Sequence, residues 1–256
     1  MNQKIAFPSS SGNDCPKCHG IGWILSAGVV DGYDDQQGIV FAQKCTECSG
    51  FRRQTDTTGV PGQFYSADIS KFDFNAYSKD MSKFKKLCEN FVFHFPEWEK
   101  AGKGMYLWST TPGSGKTFLS CCLAKSLMIK YDLCMRFITA PDYISVVGDS
   151  YKREFWQEDP SEIYRTCKVL VLDDIGAQAG KEWQRQELFR LINTRMENGA
   201  ITIYTSNVTA ENLNVDERTK DRIIKHSIVL NVPEESIRRK LAAAEQEHFL
   251  QKVLNA

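Results

Sequence analysis

The sequence has no surplus of charge of either sign and no long apolar run. Its 256 residues include 32 Lys and Arg against 32 Asp and Glu, so the formal net charge at pH 7 is zero. This balance provides no general attraction to nucleic acid or to an anionic membrane, so any contact with DNA would have to be local. No stretch approaches the roughly 18 apolar residues of a membrane span, and the first residues lack the apolar core of a signal peptide. We therefore expect a cytoplasmic protein without membrane contact.

The composition is that of an ordinary globular chain, with 42% hydrophobic and 25% charged residues. The length suits one large domain, or one medium and one small domain. Four of the nine cysteines form two C-x-x-C pairs, which in a reducing compartment favour metal ligation over disulfides. The other five lie among apolar residues, which predicts small buried side chains at Cys88, Cys121, Cys122, Cys134 and Cys167.

Residues 105–119, MYLWSTTPGSGKTFL, have the order strand, glycine-rich loop and helix that a phosphate-binding loop requires. In such a loop, backbone N–H groups of residues 113–117 point toward a β-phosphate, and the helix N-terminus favours its negative charge. We expect Lys116 to reach the β- and γ-phosphates and the Thr117 hydroxyl to bind Mg²⁺. The residues predicted to contact ATP are Thr110, Gly113, Ser114, Gly115, Lys116, Thr117 and Phe118.

The loop departs from the pattern G-x-x-x-x-G-K-[ST] at its first position, which is Thr110 instead of glycine. That position lies at the end of the predicted strand, outside the cradle of N–H groups. The departure therefore weakens the motif without removing the phosphate contacts. The alternative is a glycine-rich turn before an ordinary helix, and the strand and helix around the loop argue against it.

Beyond the loop, apolar strands alternate with amphipathic helices. Strands are predicted at 133–139, 168–172, 201–205 and 227–232, and helices at 141–149, 182–198 and 218–225. With the strand at 105–108 they form an α/β fold, a five-stranded parallel sheet flanked by helices. A helix from Ser236 onward has an apolar side suited to packing on the core or on a partner.

Polar side chains follow two of these strands. The run VLVLDD ends in Asp173 and Asp174, where P-loop ATPases carry the acid that faces the nucleotide. We expect Asp173 to hold Mg²⁺ together with Thr117, and Asp174 to polarise the attacking water. The alternative is an acidic turn after a strand. Asn207 follows the strand at 201–205 and could orient water or contact the γ-phosphate.

Two cysteine pairs near the N-terminus, each followed by a glycine two residues later, predict a tetrahedral Zn²⁺ site. The four thiolate ligands would be Cys15, Cys18, Cys45 and Cys48. The chain between the pairs holds apolar stretches at 21–25 and 38–41, which favour a β-hairpin carrying the metal. His19 could replace one cysteine, but with four thiolates present it is expected beside the site. A redox role would instead need a single pair that opens a thioredoxin-like helix.

The polar stretch at 56–63 contains glycine and proline and is predicted to be a linker. It divides the chain into a zinc-binding module, residues 1–55, and an ATPase domain, residues 64–256. A module this short has little core of its own, so metal binding would supply much of its folding free energy.

Taken together, these motifs resemble the helicase-loader branch of the AAA+ ATPases, the group of DnaC, DnaI and IstB. The resemblance covers residues 60–245 and rests on TTPGSGKTFL, VLVLDDIGA, EWQRQELFRLINTRMENG before TIYTSN, and DERTKDRI followed by SIRRK. It implies an initiator-type AAA+ sheet with Asn207 as the sensor-1 residue and Arg238 as the sensor-2 arginine that contacts nucleotide. It also implies that Arg222 is an arginine finger offered to a neighbouring subunit's ATP, with Arg218 near the same interface.

The resemblance implies an ATP-dependent helicase loader that uses ATP, Mg²⁺ and Zn²⁺. Its partners would be a DnaB-type hexameric replicative helicase, single-stranded DNA, and further copies of the chain through Arg222. Two alternatives stay open: an IstB-like accessory ATPase of transposition, and a zinc adaptor that senses nucleotide with little hydrolysis. The zinc module favours the loader over the transposition protein. The complete set of Lys116, Thr117, Asp173 and Asp174 argues against a protein that does not hydrolyse ATP.

We expect elemental analysis of protein purified without chelator to find about one zinc per chain. Cys45→Ser should unfold the N-terminal module, because the module lacks another source of stability. It should leave ATP binding at Lys116 intact, because the linker separates the two parts. Metal-free protein, or two disulfides among the four cysteines, would contradict the zinc site.

Overall fold

The computed structural model describes residues 23–28, 39–44, 58–151, 154, 158–176 and 180–254. The predicted zinc ligands Cys15, Cys18, Cys45 and Cys48, and the neighbouring His19, lie outside these residues. The chain falls into two units, Met1–Thr58 and Gly59–Ala256, and each is described by itself.

In the first unit two strands pair antiparallel. Strand β1 (Trp23–Gly28) runs against β2 (Ile39–Lys44), with Trp23 opposite Lys44 and Gly28 opposite Ile39. These strands overlap the two apolar stretches between the cysteine pairs, and their antiparallel pairing is the one expected for the predicted hairpin. Both strands extend about three residues further along the chain than the apolar pattern indicates.

The second unit is built on a five-stranded parallel sheet, which confirms the predicted fold class. The strands are β3 (Gly104–Trp108), β4 (Met135–Thr139), β5 (Val169–Asp173), β6 (Ile201–Ser206) and β7 (Ser227–Asn231). Their order across the sheet is β4-β5-β6-β3-β7, and every neighbouring pair is parallel. The central strands are buried on both faces, as expected for a parallel sheet covered by helices.

Helices lie before, between and after these strands. They are α1 (Ser82–Phe93), α2 (Phe95–Lys100), α3 (Lys116–Tyr131), α4 (Ala140–Ser150), α5 (Glu162–Thr166), α6 (Glu182–Glu197), α7 (Glu217–His226) and α8 (Ile237–Leu254). The predicted helices agree with these within about two residues, the usual uncertainty of helix ends. In the described part of the chain, no helix combines the length and the apolar character needed to cross a membrane.

Helix α3 is buried along almost its whole length. It packs on the sheet with one side and contacts α1 and the short turn Ile69–Lys71 with the other. We call residues 59–77 the leading segment. Two polar side chains of α3 hold this segment in place: Lys125 donates to the Tyr65 carbonyl, and the Ser126 hydroxyl accepts from the backbone N–H of Ile69 at 3.0 Å.

An apolar cluster lies between the sheet, α4 and α6. It includes Tyr106, Leu170, Leu172 and Tyr204 from the strands, and Tyr143, Ile144, Val147, Leu188, Leu191 and Ile192 from the helices. The arginine Arg195 is 1% exposed at its margin. Its guanidinium donates to the carbonyls of Tyr164, Cys167 and Ile201 at 2.7–2.8 Å. The buried charge is therefore satisfied by neutral acceptors.

The sequence predictions for the five isolated cysteines and for the apolar side of α8 can be compared with the burial of these residues. Four of the five cysteines predicted to be buried are buried, but the prediction is wrong for Cys134, which is exposed. Cys134 follows the left-handed residue Asp132 and precedes β4, an outer strand of the sheet, so its side chain is not covered. The large apolar residues of α8 beyond its first turn do not pack on the core, since Leu241, Phe249, Leu250, Val253 and Leu254 are all at least half exposed.

Candidate nucleotide site

The loop between β3 and α3 has two glycines in the left-handed region. Gly113 has φ 77° and Gly115 has φ 94°, a conformation that other residues adopt at a cost. A Cβ atom on Gly113 would lie 2.9 Å from the Ser236 hydroxyl, and one on Gly115 would lie 2.7 Å from the Tyr77 hydroxyl. The loop therefore needs glycine at both positions for its backbone conformation and for the close approach of neighbouring segments.

Helix α3 begins at Lys116, as the sequence predicts, and Gly115 at its N-cap offers no side-chain cap. The first N–H groups of a helix have no partner within it and attract an anion. The leading segment contacts this turn, because the Tyr77 hydroxyl donates to the Ser114 carbonyl at 2.7 Å. Phe118 packs against the same segment, with its ring 5.9 Å from that of Phe72.

The ammonium group of Lys116 lies folded over the loop. It donates to the Ser109 carbonyl at 3.0 Å and lies 3.3 Å from the Ser114 hydroxyl. Burial lowers the pKa of Lys116, and the nearby carboxylates of Glu234, Asp174 and Asp173 act in the opposite direction. The charge is held by neutral oxygens that phosphate oxygens of a bound nucleotide could replace.

The Asp173 carboxyl is buried at the end of β5, with 8% of the residue exposed. Burial raises the pKa of Asp173, while hydrogen bonds from Thr205 and Thr117 oppose that rise. The Thr205 hydroxyl donates to Asp173 at 2.6 Å and accepts from the backbone N–H of Asp174 at 2.9 Å. Because the Thr117 hydroxyl also acts on the Asp173 pKa through a hydrogen bond, the two predicted Mg²⁺ ligands lie close together.

The hydroxyl and the carboxylate are hard oxygen donors of the kind that Mg²⁺ prefers, and Mg²⁺ in nucleotide sites is held by one or two carboxylates plus phosphates. This donor set fits the ion that the loop implies. Among the described residues, no group of three or more His, Cys, Asp or Glu side chains is placed to hold a metal ion.

Asp174 and Asn207 form a pair across the ends of β5 and β6. The Asn207 amide donates to the Asp174 carboxylate at 2.9 Å. Asp174 also has φ 54°, a left-handed conformation that is uncommon outside glycine but is tolerated best by Asp and Asn. The sequence predicts the two residues separately, and their mutual contact orients the carboxylate that is expected to act on water.

Glu234 is a site residue that the sequence does not reveal. Its carboxylate accepts hydrogen bonds from residues 109–111, including the Thr110 hydroxyl at 2.7 Å and the Thr111 N–H at 2.8 Å. Glu234 is exposed, and the slight desolvation of its carboxyl acts to raise its pKa, but these hydrogen bonds outweigh that effect and lower the pKa to about 2. No motif marks the residue, since it follows the last strand in a short stretch without a pattern.

The first turn of α8 also lies against the loop. The backbone N–H of Arg238 donates to the Gly113 carbonyl at 3.1 Å. The residue itself is exposed, so its side chain is open to solvent beside the loop. The predicted sensor-2 arginine is thus brought next to Gly113.

Arg222 lies near the amino ends of the strands, opposite to the end that carries the nucleotide loop. It lines a small cavity with Gly104, the first residue of β3, and His226, whereas the nucleotide loop follows the last residue of that strand. Four residues of strand separate these positions, which corresponds to about 13 Å. The predicted arginine finger therefore does not join the cluster around Lys116 in the same chain.

The guanidinium groups of Arg218 and Arg222 each lie 4.7 Å from the centre of the Phe189 ring. Contacts of this kind between a cation and an aromatic ring are attractive. The Nε of Arg222 also donates to the Asn193 side chain at 2.9 Å. The two arginines thus form one ordered group with α6.

Comparison with known proteins relates the chain to ATP-binding proteins. The family model of the IstB-like ATP binding proteins matches residues 36–244. The replicative helicase loader DnaI of Bacillus subtilis (strain 168) is 30% identical over 113 residues, which are 44% of this chain and 35% of DnaI. The match thus spans about a third of that protein's length.

Two solved structures share the fold. The crystal structure of the DnaC helicase loader superimposes with a TM-score of 0.58 at 22% identity, covering 68% of this chain and 100% of that one. A crystal structure of DnaI gives a TM-score of 0.58 at 22% identity, covering 72% of this chain and 98% of that one. At this level of identity the likeness establishes the fold alone.

We expect Thr205→Val to weaken Mg²⁺-dependent ATP binding. The substitution keeps the shape of the side chain but removes the hydroxyl that donates to Asp173 and accepts from the Asp174 N–H. Loss of a partner that orients a metal ligand costs about 10–100-fold in metal affinity. The gain in ATP affinity on adding Mg²⁺, measured by titration of a fluorescent ATP analogue, should fall by about that factor.

Thr202→Val is a matched control on the same strand. Thr202 is similarly buried, but its hydroxyl accepts from Arg195 at the far end of β6. Any loss of stability should therefore occur without loss of the Mg²⁺-dependent gain. An unchanged Mg²⁺-dependent gain in Thr205→Val would contradict the role assigned to Thr205.

Proposed function

The chain belongs to the family of IstB-like ATP binding proteins, and on that premise we propose that it is an ATP-hydrolysing loader of a replicative helicase. The helicase would be a DnaB-type hexamer, and the loader would place it on single-stranded DNA. The observation that carries the ATPase part is the meeting of Lys116, Asp173 with Thr117, and Asp174 with Asn207 at one edge of the sheet.

Each of these groups has a proposed role. The N–H groups of residues 113–117 bind the β-phosphate, and Lys116 exchanges its carbonyl partners for β- and γ-phosphate oxygens. Asp173 and Thr117 would hold Mg²⁺, which would supply positive charge to neutralise the phosphates. Asp174, oriented by Asn207, accepts a hydrogen bond from the attacking water and polarises it.

The remaining nucleotide contacts are assigned to the segments that cover the loop. Arg238 lies in the first turn of α8, beside Gly113, and would place its guanidinium on the phosphates of bound ATP. Thr110 and Ser114 belong to the loop itself, and Phe118, in the first turn of α3, packs against Phe72 of the leading segment. Binding of ATP would favour an assembled state of the loader, and hydrolysis would release it.

The helicase-loading part rests on the relatives. The DnaI relative is named as a replicative helicase loader, and the DnaC structure with the same fold is that of a helicase loader. The N-terminal module, with zinc on its four cysteines, would engage the helicase. An accessory ATPase of transposition belongs to the same family and is the alternative that the following experiment separates.

The decisive experiment is a pull-down with the tagged full-length chain in extract of its native host, with ATP present. We expect recovery of the replicative hexameric helicase, and less of it with Lys116→Ala, which cannot bind the triphosphate. Recovery of a transposase instead would favour the transposition protein. Recovery of the helicase by a chain that binds ATP but does not hydrolyse it would favour the adaptor.

Arg222 is proposed to act on the ATP of a neighbouring copy, since it lies at the opposite end of the strands from its own loop. An arginine supplied by a partner contributes about 10³ to 10⁵ to the rate of phosphoryl transfer. Arg222→Ala and Lys116→Ala should therefore each lose most ATPase activity while staying folded. Mixing the two variants should restore part of it, because an intact loop then meets an intact arginine.

Lys225→Ala is the matched control, since Lys225 is an exposed cation on the same helix α7. It should keep its activity without mixing. Activity is measured by phosphate release, and association of the variants by light scattering. Failure to recover activity in a mixture that demonstrably associates would mean that Arg222 does not act between subunits.

A further inference from the structure

The chain after β7 runs beside the nucleotide loop. The backbone N–H of Val232 donates to the Trp108 carbonyl at 2.8 Å, and that of Arg238 donates to the Gly113 carbonyl at 3.1 Å. Residues 232–238, which we call the trailing segment, therefore contact the last residue of β3 and the middle of the loop. Glu234 lies between these two contacts.

The Glu234 carboxylate accepts four hydrogen bonds from three consecutive loop residues. One oxygen accepts from the Ser109 hydroxyl at 3.0 Å, the Thr110 hydroxyl at 2.7 Å and the Thr111 N–H at 2.8 Å. The other accepts from the Thr110 N–H at 3.1 Å. Hydrogen bonds to an ionised acceptor are stronger than neutral ones, and two of these four come from backbone N–H groups, so the exposed Glu234 carboxylate ties residues 109–111 to the trailing segment.

The donors used by Glu234 are not those that a phosphate needs. They belong to residues 109–111, whereas the N–H groups expected to bind phosphate belong to residues 113–117. Pro112 lies between the two sets and has no N–H group. The loop can therefore bind a triphosphate while its contact with Glu234 is kept. The carboxylate does not occupy the N–H groups that are expected to bind phosphate.

The same contact gives a physical reason for the unusual first residue of the loop. Thr110 replaces the glycine of the pattern, and its hydroxyl makes the shortest of the four hydrogen bonds. A glycine would keep the N–H contact and lose the hydroxyl contact. Glu234 also contributes the largest of the charge interactions that oppose the lowering of the Lys116 pKa by burial.

We propose that Glu234 is a positioning residue, which holds the first half of the nucleotide loop in its ATP-binding conformation through Thr110 and Thr111. The proposal rests on the ATP-binding function of the site. A loop that is ordered before the nucleotide arrives loses less conformational entropy on binding, and its affinity is correspondingly higher. Because the trailing segment leads directly into α8, Glu234 also ties the loop to the turn that carries Arg238.

The test uses Glu234→Gln, Thr110→Val and the double variant in the full-length chain. Glutamine has a single acceptor oxygen, and its NH₂ group would replace the second carboxylate oxygen. That NH₂ group is a donor and cannot accept a hydrogen bond from the loop. Valine removes only the Thr110 hydroxyl. We expect Glu234→Gln to weaken ATP binding about tenfold or more, as for loss of a charged hydrogen-bond partner. Thr110→Val should weaken it by several-fold, and the double variant by little more than Glu234→Gln alone.

Glu235→Gln is the matched control, because the neighbouring carboxylate binds Ser78 and Lys240 and not the loop. It should leave ATP affinity within about twofold of the wild type. Three quantities are measured for each protein: the ATP dissociation constant, kcat at saturating ATP, and Tm without nucleotide. A positioning role predicts a large change in ATP affinity and a much smaller change in kcat. The losses of affinity caused by Glu234→Gln and Thr110→Val should not add in the double variant, because the two residues contact each other.

The outcomes separate this inference from the proposed function. Wild-type affinity in Glu234→Gln and Thr110→Val, or strictly additive losses in the double variant, would overturn the role of Glu234. A fall in Tm with unchanged affinity would do the same, since it would make the contact purely structural. A wild-type chain that binds ATP without hydrolysing it would overturn the ATPase proposal while leaving the affinity test of Glu234 in force.

Discussion

The candidate site depends on keeping a carboxyl group, Asp173, at the end of a buried strand. An ionised carboxylate removed from water is costly unless it is hydrogen-bonded, and burial does raise the pKa of Asp173. The hydroxyls of Thr205 from β6 and Thr117 from α3 meet this need. One carboxyl group thus holds together the ends of two strands and the start of the helix that follows the loop.

The loop itself is held from two sides by segments that lie far from it in the chain. The leading segment contacts it through Tyr77, and the trailing segment through Glu234 and Arg238. Both contacts come so close that a side chain on Gly113 or Gly115 would collide with them. These close contacts restrict the conformation of the loop before any ligand is present. A restricted loop loses less conformational entropy on binding, which favours tight binding of a ligand by its backbone.

The groups expected to bind nucleotide and the arginines of α7 lie at opposite ends of the parallel strands. The groups expected to bind nucleotide lie at the carboxyl ends of β3, β5 and β6, which is where parallel sheets place their binding residues. The arginines of α7 lie at the other end, stacked on Phe189. Under the proposed function this separation requires a second copy to complete the site, and ATP hydrolysis would then report assembly.

The sequence by itself determined the elements and the residues that a local pattern marks. Strand periodicity predicted the five-stranded parallel sheet, and the glycine-rich loop predicted the start of α3 at Lys116. Asp173 and Asn207 could be named in advance because the carboxyl ends of parallel strands meet at one edge. The order of the strands across the sheet, and the exposure of Cys134, were not contained in any local pattern.

Only the tertiary structure decided the contacts between distant residues. Thr110 and Glu234 are 124 residues apart, Tyr77 and Ser114 are 37 apart, and Asp174 and Asn207 are 33 apart. A hydrogen bond requires two groups within about 3 Å, and sequence spacing does not fix such a distance once the chain has turned back on itself. The residues that hold the loop in place were therefore visible only after the chain had folded around it.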